Sequence, residues 1–277
     1  MPDRNIKLTV AYDGTDFLGW QLQKEGRTVQ GVMQEGLERM HGHPVHVSAA
    51  GRTDSGVHAT GQVTNFHTDL DSIAPHKFRD AVNSFLPRDV RVVASEEVGP
   101  RFHARRSALL RIYRYYVMNG PVLLPHLRNY RHWVRRQLDV QRLNEMASVL
   151  VGEHDFSSFS AEGDANESKV RHVAVSSFHV EGDTLIYTIA ATSFLWKMVR
   201  TVIGTFLMLE EQGLGAPELR RIIDSCHRAN AGGTAPARGL FLERVMYEEA
   251  NGIPAQSLES AEPGAGLREL GVLPEAT

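Results

Sequence analysis

The densest group of reactive side chains in this sequence lies in nine consecutive residues, Gly51-Arg52-Thr53-Asp54-Ser55-Gly56-Val57-His58-Ala59. Glycines allow backbone dihedrals that are closed to other residues and let a ligand approach closely. A nearby cation favours the ionised form of a carboxyl group, and an ionised aspartate can act as nucleophile, base or electrostatic clamp. The alternative is that Asp54 only caps a turn, which aspartate does readily through its own backbone.

Hydrophobic periodicity predicts that strands and helices alternate around this segment, and that a strand over residues 45–50 leads directly into it. Further strands are predicted over residues 6–12, 62–66, 90–97, 112–118, 173–180, 184–192 and 240–248. Helices are predicted over residues 28–40, with Thr28 as N-cap, and over residues 74–86, 140–150, 193–212 and 217–228. This order indicates an α/β (α+β) chain in which helices cover one face of a sheet.

The same pattern divides the chain into two similar βα-rich halves. Residues 1–105 form the N-terminal half with the reactive loop, and residues 106–248 form the C-terminal half. Residues 249–277 contain Pro, Gly, Ser and Glu without periodicity, which predicts a flexible acidic tail.

Composition argues against several classes of protein. The 277 residues are 42% hydrophobic and 23% charged, which is typical of a globular protein. No apolar run is long enough to cross a bilayer, and the first residues resemble a strand more than a signal peptide. Cys226 is the only cysteine, so no intrachain disulfide or cysteine-based zinc site is expected. The spacing of His41, His43 and His46 fits no usual metal site, so no metal is predicted. With a single cysteine, the expected compartment is the reducing cytoplasm.

The net charge of −3 conceals an uneven distribution of basic residues. Between residues 101 and 142 the chain has ten arginines and one acidic residue, Asp139. Arginine suits bidentate phosphate contacts, so this clustering predicts an anionic polymer as partner. A GC-rich genome would also enrich arginine, and the sequence does not separate the two causes.

Several separated motifs, in this order, resemble the TruA family of tRNA pseudouridine synthases. They are Tyr12-Asp13-Gly14, Phe17-Leu18-Gly19-Trp20-Gln21, Arg27-Thr28-Val29-Gln30, the nine residues above, Phe102-His103-Ala104-Arg105, Tyr113-Arg114-Tyr115, Phe194-Leu195-Trp196-Lys197-Met198-Val199-Arg200 and Ala235-Pro236-Ala237-Arg238-Gly239-Leu240. Mild departures are Ser55 in place of the usual alanine, Leu22 in place of a basic residue, and Ser193 in place of asparagine.

The resemblance implies the pseudouridine synthase fold, in which two similar halves form a mixed, mostly antiparallel central sheet with helices on one face. It also implies an isomerase that converts uridines 38, 39 and 40 of the tRNA anticodon stem-loop to pseudouridine. The expected partners are tRNA and a second copy of the chain. No redox cofactor is expected, because the reaction neither adds nor removes atoms. No metal and no membrane are expected either.

The resemblance also implies roles for individual residues. Asp54 is the catalytic aspartate, Arg200 the cation that keeps it ionised, and Tyr113 the residue that stacks on uracil and takes the C5 proton. Leu240 forms an apolar wall beside the base. From its position beside Asp54, rather than from the resemblance, Arg52 is expected to fill the vacated position or to hold the phosphate of the flipped nucleotide. From the arginine clustering rather than the resemblance, the expected RNA contacts are Arg105, Arg106, Arg111, Arg114 and His103, although only some residues at alternating strand positions can face the RNA.

Other interpretations remain open from the residues alone. Arg200 could form an exposed ion pair, Tyr113 could be a core residue, and His58 could support the loop rather than act as a base. The whole protein could bind RNA without catalysis. It could also be a hydrolase that uses Asp54 with His58 or a metal.

Overall fold

The computed structural model describes residues 4–248, so the predicted tail at residues 249–277 lies outside the described residues. The described chain forms two compact units. The first contains residues 4–109 and 241–247, and the second contains residues 110–240. The chain therefore returns to the first unit with its last strand.

Within residues 4–248 the secondary structure alternates between strands and helices. The strands are β1 (Arg4–Tyr12), β2 (Ser48–Ala49), β3 (His58–Thr68), β4 (Val90–Val98), β5 (Ala108–Met118), β6 (His132–Trp133), β7 (Gly152–Asp155), β8 (Val170–Glu181), β9 (Thr184–Ala191) and β10 (Leu240–Tyr247). The α-helices are α1 (Val29–His41), α2 (Phe78–Asn83), α3 (Val140–Ser148), α4 (Met198–Glu211) and α5 (Ala216–Asp224). Short 3₁₀ helices span Pro75–Lys77, Pro125–Leu127, Ser157–Phe159, Arg228–Asn230 and Ala237–Gly239.

The first unit has a mixed sheet in the order β4-β1-β3-β10. β1 is antiparallel to β3 and β4, whereas β3 and β10 run parallel with His58 opposite Phe241. The short strand β2 pairs antiparallel with β3, with Ser48 opposite Asn65. Because β2 and β3 are neighbours, the segment between them begins and ends at the same part of the sheet.

Helix α1 illustrates why the sequence folds as predicted in this unit. Val29, Met33 and Leu37 are fully buried and recur at helical spacing, so they form one apolar stripe. The hydroxyl of Thr28 accepts a hydrogen bond from Gly31 N, which confirms the predicted N-cap. Gly42 ends the helix with a φ of 75°, a conformation that glycine adopts without strain.

The second unit has the sheet order β5-β9-β8-β7, and these four strands are antiparallel. β6 lies beside β5 in parallel orientation. The predicted hairpin is confirmed, since Glu181 and Thr184 are register partners at its turn. Phe178, Tyr187 and Phe206 pack as neighbouring rings, with centroids 4.7–5.5 Å apart, and so join α4 to the hairpin.

The predicted helix over residues 193–212 was wrong at its beginning. α4 begins only at Met198, because Lys197 has a φ of 61° that a continuing helix does not allow. The backbone of Trp196 hydrogen-bonds elsewhere: its carbonyl accepts from Ala161 N at 2.9 Å, and its N–H donates to Asp164. These non-local bonds replace helical ones.

Two backbone segments of the second unit touch with no side chain between them. A Cβ on Gly204 of α4 would lie 1.7 Å from the carbonyl oxygen of Gly233. A Cβ on Gly232 would lie 2.6 Å from the carbonyl oxygen of Gly204. Only glycine fits at these positions, so α4 lies directly against residues 232–235.

Candidate active site

Residues 51–59 form a tight loop that follows β2 in the first unit and ends in the first two residues of β3, His58 and Ala59. Ala50 N donates to Val63 O at 2.8 Å, and the Gln62 side-chain amide donates to Gly51 O at 2.9 Å. Gln62 is fully buried. The start of the loop is therefore fixed to β3, the strand on which the loop ends.

Asp54 is half-buried within this loop, and hydrogen bonds fix the backbone on both sides of it. Trp20 N donates to Thr53 O at 3.0 Å, and Val57 N donates to Asp54 O at 3.1 Å. The Thr53 hydroxyl is hydrogen-bonded to the buried Tyr12 hydroxyl at 2.8 Å. The carboxylate is thus carried on a rigid turn and remains partly accessible, as a reactive group requires.

Glycines in the preceding motifs permit the close approach of this loop. A Cβ on Gly14 would lie 2.0 Å from the carbonyl oxygen of Val57. Gly19 has a φ of +92°, and a Cβ there would lie 2.6 Å from the carbonyl oxygen of Thr53. The first two motifs of the sequence therefore pack against the loop that contains Asp54.

The third motif, Arg27-Thr28-Val29-Gln30, makes contacts through Arg27 and Gln30. The Arg27 guanidinium donates two hydrogen bonds to Asp89, at 2.6 and 2.9 Å, and lies 4.0 Å from the ring centre of Phe17. These bonds lower the pKa of Asp89. In the same motif, Gln30 N donates to Trp20 O at 3.0 Å, so α1 is tied to the segment that supports the loop.

His58 is buried, with 1% exposure, and supports the loop rather than facing solvent. Its Nδ1 accepts a hydrogen bond from Gly14 N at 3.0 Å. Its ring stacks on Phe241 of β10 at a centroid distance of 4.6 Å. Arg52, two residues before Asp54, is exposed, so its guanidinium is accessible to a ligand.

In the second unit, Tyr113 lies on β5 and is 7% exposed. Its ring contacts Phe194 edge-to-face, with centroids 5.0 Å apart. Tyr115, on the same face of the strand, is fully buried and its hydroxyl donates to Pro236 O at 2.9 Å. Tyr115 is therefore a core residue.

Arg200 lies in the first turn of α4 and is half-buried. Its Nε donates to Ala235 O at 2.8 Å, and Ala235 N donates to Arg200 O at 3.0 Å. Burial raises the pKa of Tyr115, and the positive charges of Arg200 and Arg238 partly offset that rise. Arg200 is thus held beside residues 235–238 by two reciprocal bonds.

Leu240 is 5% exposed. It follows Gly239, which lies in close contact with the ring of Tyr115. A Cβ on Gly239 would lie 2.8 Å from the Tyr115 ring. The second unit therefore brings Arg200, Leu240 and the Tyr113–Tyr115 strand into one region through residues 235–240.

Asp164 is a positioning residue that the sequence did not indicate. Its side chain is 1% exposed and accepts from Trp196 N at 2.6 Å, Asn166 N at 2.8 Å and Lys169 Nζ at 3.0 Å. Although burial alone would raise the pKa of Asp164, these bonds lower it below its usual range. The carboxylate thereby fixes the segment that leads from Phe194 to Arg200.

The predicted RNA contacts are distributed over both units. Arg105 and Arg106 are exposed, and His103 is half-buried, on a loop of the first unit. On β5 of the second unit, Arg111 and Arg114 are three residues apart and so lie on opposite faces. Arg111 is 8% exposed and donates to Thr192 O at 2.6 Å, whereas Arg114 is half-buried.

The arginines from residue 128 onward make contacts within the second unit. Arg136 pairs with the buried carboxylate of Glu210, and Arg142 lies 3.5 Å from Asp139. Arg131 stacks on Tyr116 and Arg135 on Trp133, at 4.2 and 4.4 Å from the ring centres. Part of the arginine clustering is therefore explained by internal pairing and stacking.

Within residues 4–248 there is no group of three His, Cys, Asp or Glu side chains with the geometry to bind a metal ion. The same residues contain no helix that is both long and apolar enough to cross a bilayer.

The sequence of the chain matches a known class of protein. The family described as tRNA pseudouridine synthase matches residues 8–105 and 146–248 of the chain. One solved structure, a Cbf5-Nop10-Gar1 complex, matches the chain with a TM-score of 0.35 and 11% sequence identity. The match covers 95% of this chain and 65% of the chain in the complex.

Individual relatives make the family more specific. A tRNA pseudouridine synthase A of Treponema denticola is 47% identical over 251 residues, or 89% of this chain and 94% of the relative. Relatives of the same name from Ruminiclostridium cellulolyticum and Brachyspira hyodysenteriae are 41% and 39% identical, over 88% of this chain and 100% and 99% of their own. The chain belongs to the TruA family of tRNA pseudouridine synthases. The predicted family, fold class and isomerase activity are thereby confirmed.

Proposed function

We propose that this isomerase converts uridines 38, 39 and 40 of the tRNA anticodon stem-loop to pseudouridine, with Asp54 as the catalytic aspartate. The relatives named above are tRNA pseudouridine synthases, which supports tRNA as the substrate. The observation that carries the residue assignment is the loop 51–59, since the first two motifs hold it in place and leave Asp54 half-buried.

The reaction conserves every atom of the nucleotide. The bond between uracil N1 and ribose C1′ breaks, and a bond between C5 and C1′ forms. The C5 proton leaves to solvent and N1 gains a proton, so no oxidant or reductant is needed. Asp54 either attacks C1′ or acts first on the base, and both routes require an ionised carboxylate.

Three residues of the second unit complete the proposal. Tyr113 stacks on the uracil and accepts the C5 proton, and its edge-to-face contact with Phe194 limits its rotation. Arg200 supplies the positive charge that the reaction at Asp54 requires, in an orientation supported by its bond to Ala235. Leu240 forms an apolar wall beside the base.

The surface arginines serve RNA binding in this proposal. Removal of a base from its stack costs roughly a few kcal/mol, and contacts made by Arg52 offset part of this free energy. Arg105, Arg106 and Arg114, with His103, contact phosphates, whereas Arg111 contributes least to direct contact because of its burial. We further propose that the enzyme acts in the cytoplasm as a homodimer, which light scattering of the purified chain would test.

The decisive experiment measures tritium release from tRNA labelled at uracil C5. Asp54→Asn should bind tRNA with nearly unchanged affinity and release no tritium, because the amide cannot act as nucleophile or base. Asp16→Asn removes an exposed carboxylate from the same unit and should release tritium at the wild-type rate. Tritium release by Asp54→Asn, or none by the wild type, would overturn the assignment.

The same reaction tests target choice and the rival functions. Carbodiimide modification and primer extension should map pseudouridine to positions 38–40 and nowhere else. A gel should show intact tRNA, because a hydrolase would cleave it. Tyr113→Phe keeps the stacking ring, so kcat should fall about 10²–10⁴-fold at similar KM if its hydroxyl transfers the proton.

A further inference from the structure

A basic groove of about 620 Å³ lies in the first unit and contains none of residues 51–59. One wall comes from residues 43–48 and from β3, and the other from residues 100–106. The cationic or titratable side chains that line it are His43, His46, His67, Arg101, His103 and Arg106. A groove of this size lies within the range of known ligand sites, and its lining favours an anion.

The second wall is fixed by buried hydrogen bonds. The side-chain amide of Asn5 donates to Gly99 O at 3.1 Å and to Phe102 O at 3.0 Å. Ala104 N donates to the side-chain oxygen of Asn65 at 2.9 Å, and the Tyr247 hydroxyl donates to Ala104 O at 2.7 Å. Since Asn5 and Asn65 are 2% and 4% exposed, the loop with the two arginines is organised before any ligand binds.

The charges of the groove repel one another. Loss of solvation lowers the pKa of His103, and the nearby Arg106, Arg105 and His46 lower it further. His43 differs from His103, because the carbonyl of Pro44 and the carboxylate of Asp69 raise its pKa. A bound polyanion would relieve this repulsion and raise the pKa of each histidine that it contacts.

We infer that this groove binds the sugar-phosphate backbone of the substrate tRNA, at phosphates outside the target nucleotide. The inference rests on the proposed function for the identity of the RNA. It adds His43, His46, His67 and Arg101 to the contacts predicted from sequence. The groove sets affinity and takes no part in the chemical step, because the reactive loop does not line it.

Exposed residues of the groove provide the test. His46→Gln combined with Arg101→Gln should raise KM for tRNA about tenfold and leave kcat within about twofold of the wild type. The slope of log affinity against log salt should become shallower by about 0.7–0.9 for each phosphate that the variant no longer binds. Lys77→Gln combined with Arg79→Gln removes exposed charge elsewhere in the unit and should leave KM nearly unchanged.

A pH series isolates the histidines. Imidazole gains charge below about pH 6.5, so wild-type affinity for tRNA should rise from pH 8 to pH 6. The rise should be smaller in His46→Gln/His67→Gln, while Arg101, Arg105 and Arg106 remain charged and Asp69 still pairs with His43. An equal rise in this variant would contradict the inference.

The outcomes separate the groove from the activity. If the wild type releases no tritium, the proposed function fails and the binding measurements still judge the groove. If tritium release persists with unchanged KM and salt slope in the His46/Arg101 variant, the groove proposal fails. Titration with inorganic phosphate identifies a free-phosphate site, which would overturn the proposal if the variant lost phosphate binding and kept its affinity for tRNA.

Discussion

Replacement of Gly19 by alanine tests whether the segment around Trp20 positions the loop that contains Asp54. The φ of +92° at Gly19 costs an alanine about 1–2 kcal/mol. The added Cβ would also lie 2.6 Å from the Thr53 carbonyl oxygen and 3.0 Å from the Asp54 carbonyl carbon. Overpacking of this kind costs about 1–3 kcal/mol, so the free energy of unfolding should fall by about 2–5 kcal/mol in total.

The effect on catalysis follows from the same distances. Real Cβ contacts essentially never fall below 3.0 Å, so the Thr53 carbonyl must move by about 0.4 Å at least. A misplacement of about 1 Å can reduce the rate roughly 100-fold. If the activation free energy rises in proportion to the displacement, a shift of about 0.4 Å lowers kcat about five- to tenfold. KM should change much less, because the exposed arginines do not depend on Gly19.

Gly42→Ala is the matched control. Its φ is +75°, and no atom lies within 4 Å of an added Cβ, so the variant carries backbone strain without a clash. It should lose about 1–2 kcal/mol of stability and retain kcat. Urea unfolding and single-turnover tritium release at saturating tRNA measure both quantities. Wild-type kcat in Gly19→Ala, at the expected loss of stability, would show that this segment does not position Asp54.

Three further predictions concern other contacts. Folding lowers the pKa of Asp164, so its contribution to stability is present above an unfolded pKa of about 3.9 and is lost as pH falls through the folded value. Asp164→Asn turns an NH₂ group toward one set of donors, so the free energy of unfolding, measured with urea at pH 7, should fall by about 1–3 kcal/mol. The variant should also lose less stability than the wild type when the pH is lowered. Arg27→Lys should cost only about 0.2–1 kcal/mol in the same assay, because its pair with Asp89 is partly exposed. Gly239→Ala, which brings a methyl group to 2.8 Å from the Tyr115 ring, should cost about 1–3 kcal/mol and lower the thermal midpoint.

Local signals were sufficient to predict most of the regular structure. Helix α1 follows from its apolar stripe and the Thr28 cap, and the β8–β9 hairpin follows from two alternating runs around Gly182. Both features depend on residues close together in the chain. The motifs near Tyr12, Gly19 and Arg27 were recognisable individually. Only the fold shows that the first two contact the loop 51–59 and that the third is tied to the segment around Trp20.

Features that depend on distant residues were not predictable. The sequence around Lys197 looks helical, and its φ of 61° follows from bonds that Trp196 makes with residues 161 and 164. Asp164 lies in a polar stretch typical of a turn, and nothing local indicates its bond to Trp196. Arg111 stays a predicted RNA contact, and its burial and its bond to Thr192 depend on strand pairing that the sequence does not reveal.

The bare backbone contact of Gly204 with residues 232–233 couples two parts of the second unit mechanically. With no side chain to absorb a displacement, a shift of α4 is transmitted directly to the strip that ends at Leu240. Arg200 is hydrogen-bonded to that strip at Ala235, so we expect a displacement of the strip to reach both Arg200 and Leu240. If Leu240 and Arg200 have the roles proposed above, a substitution that changes the packing beside Leu240 should therefore change the orientation of Arg200 as well.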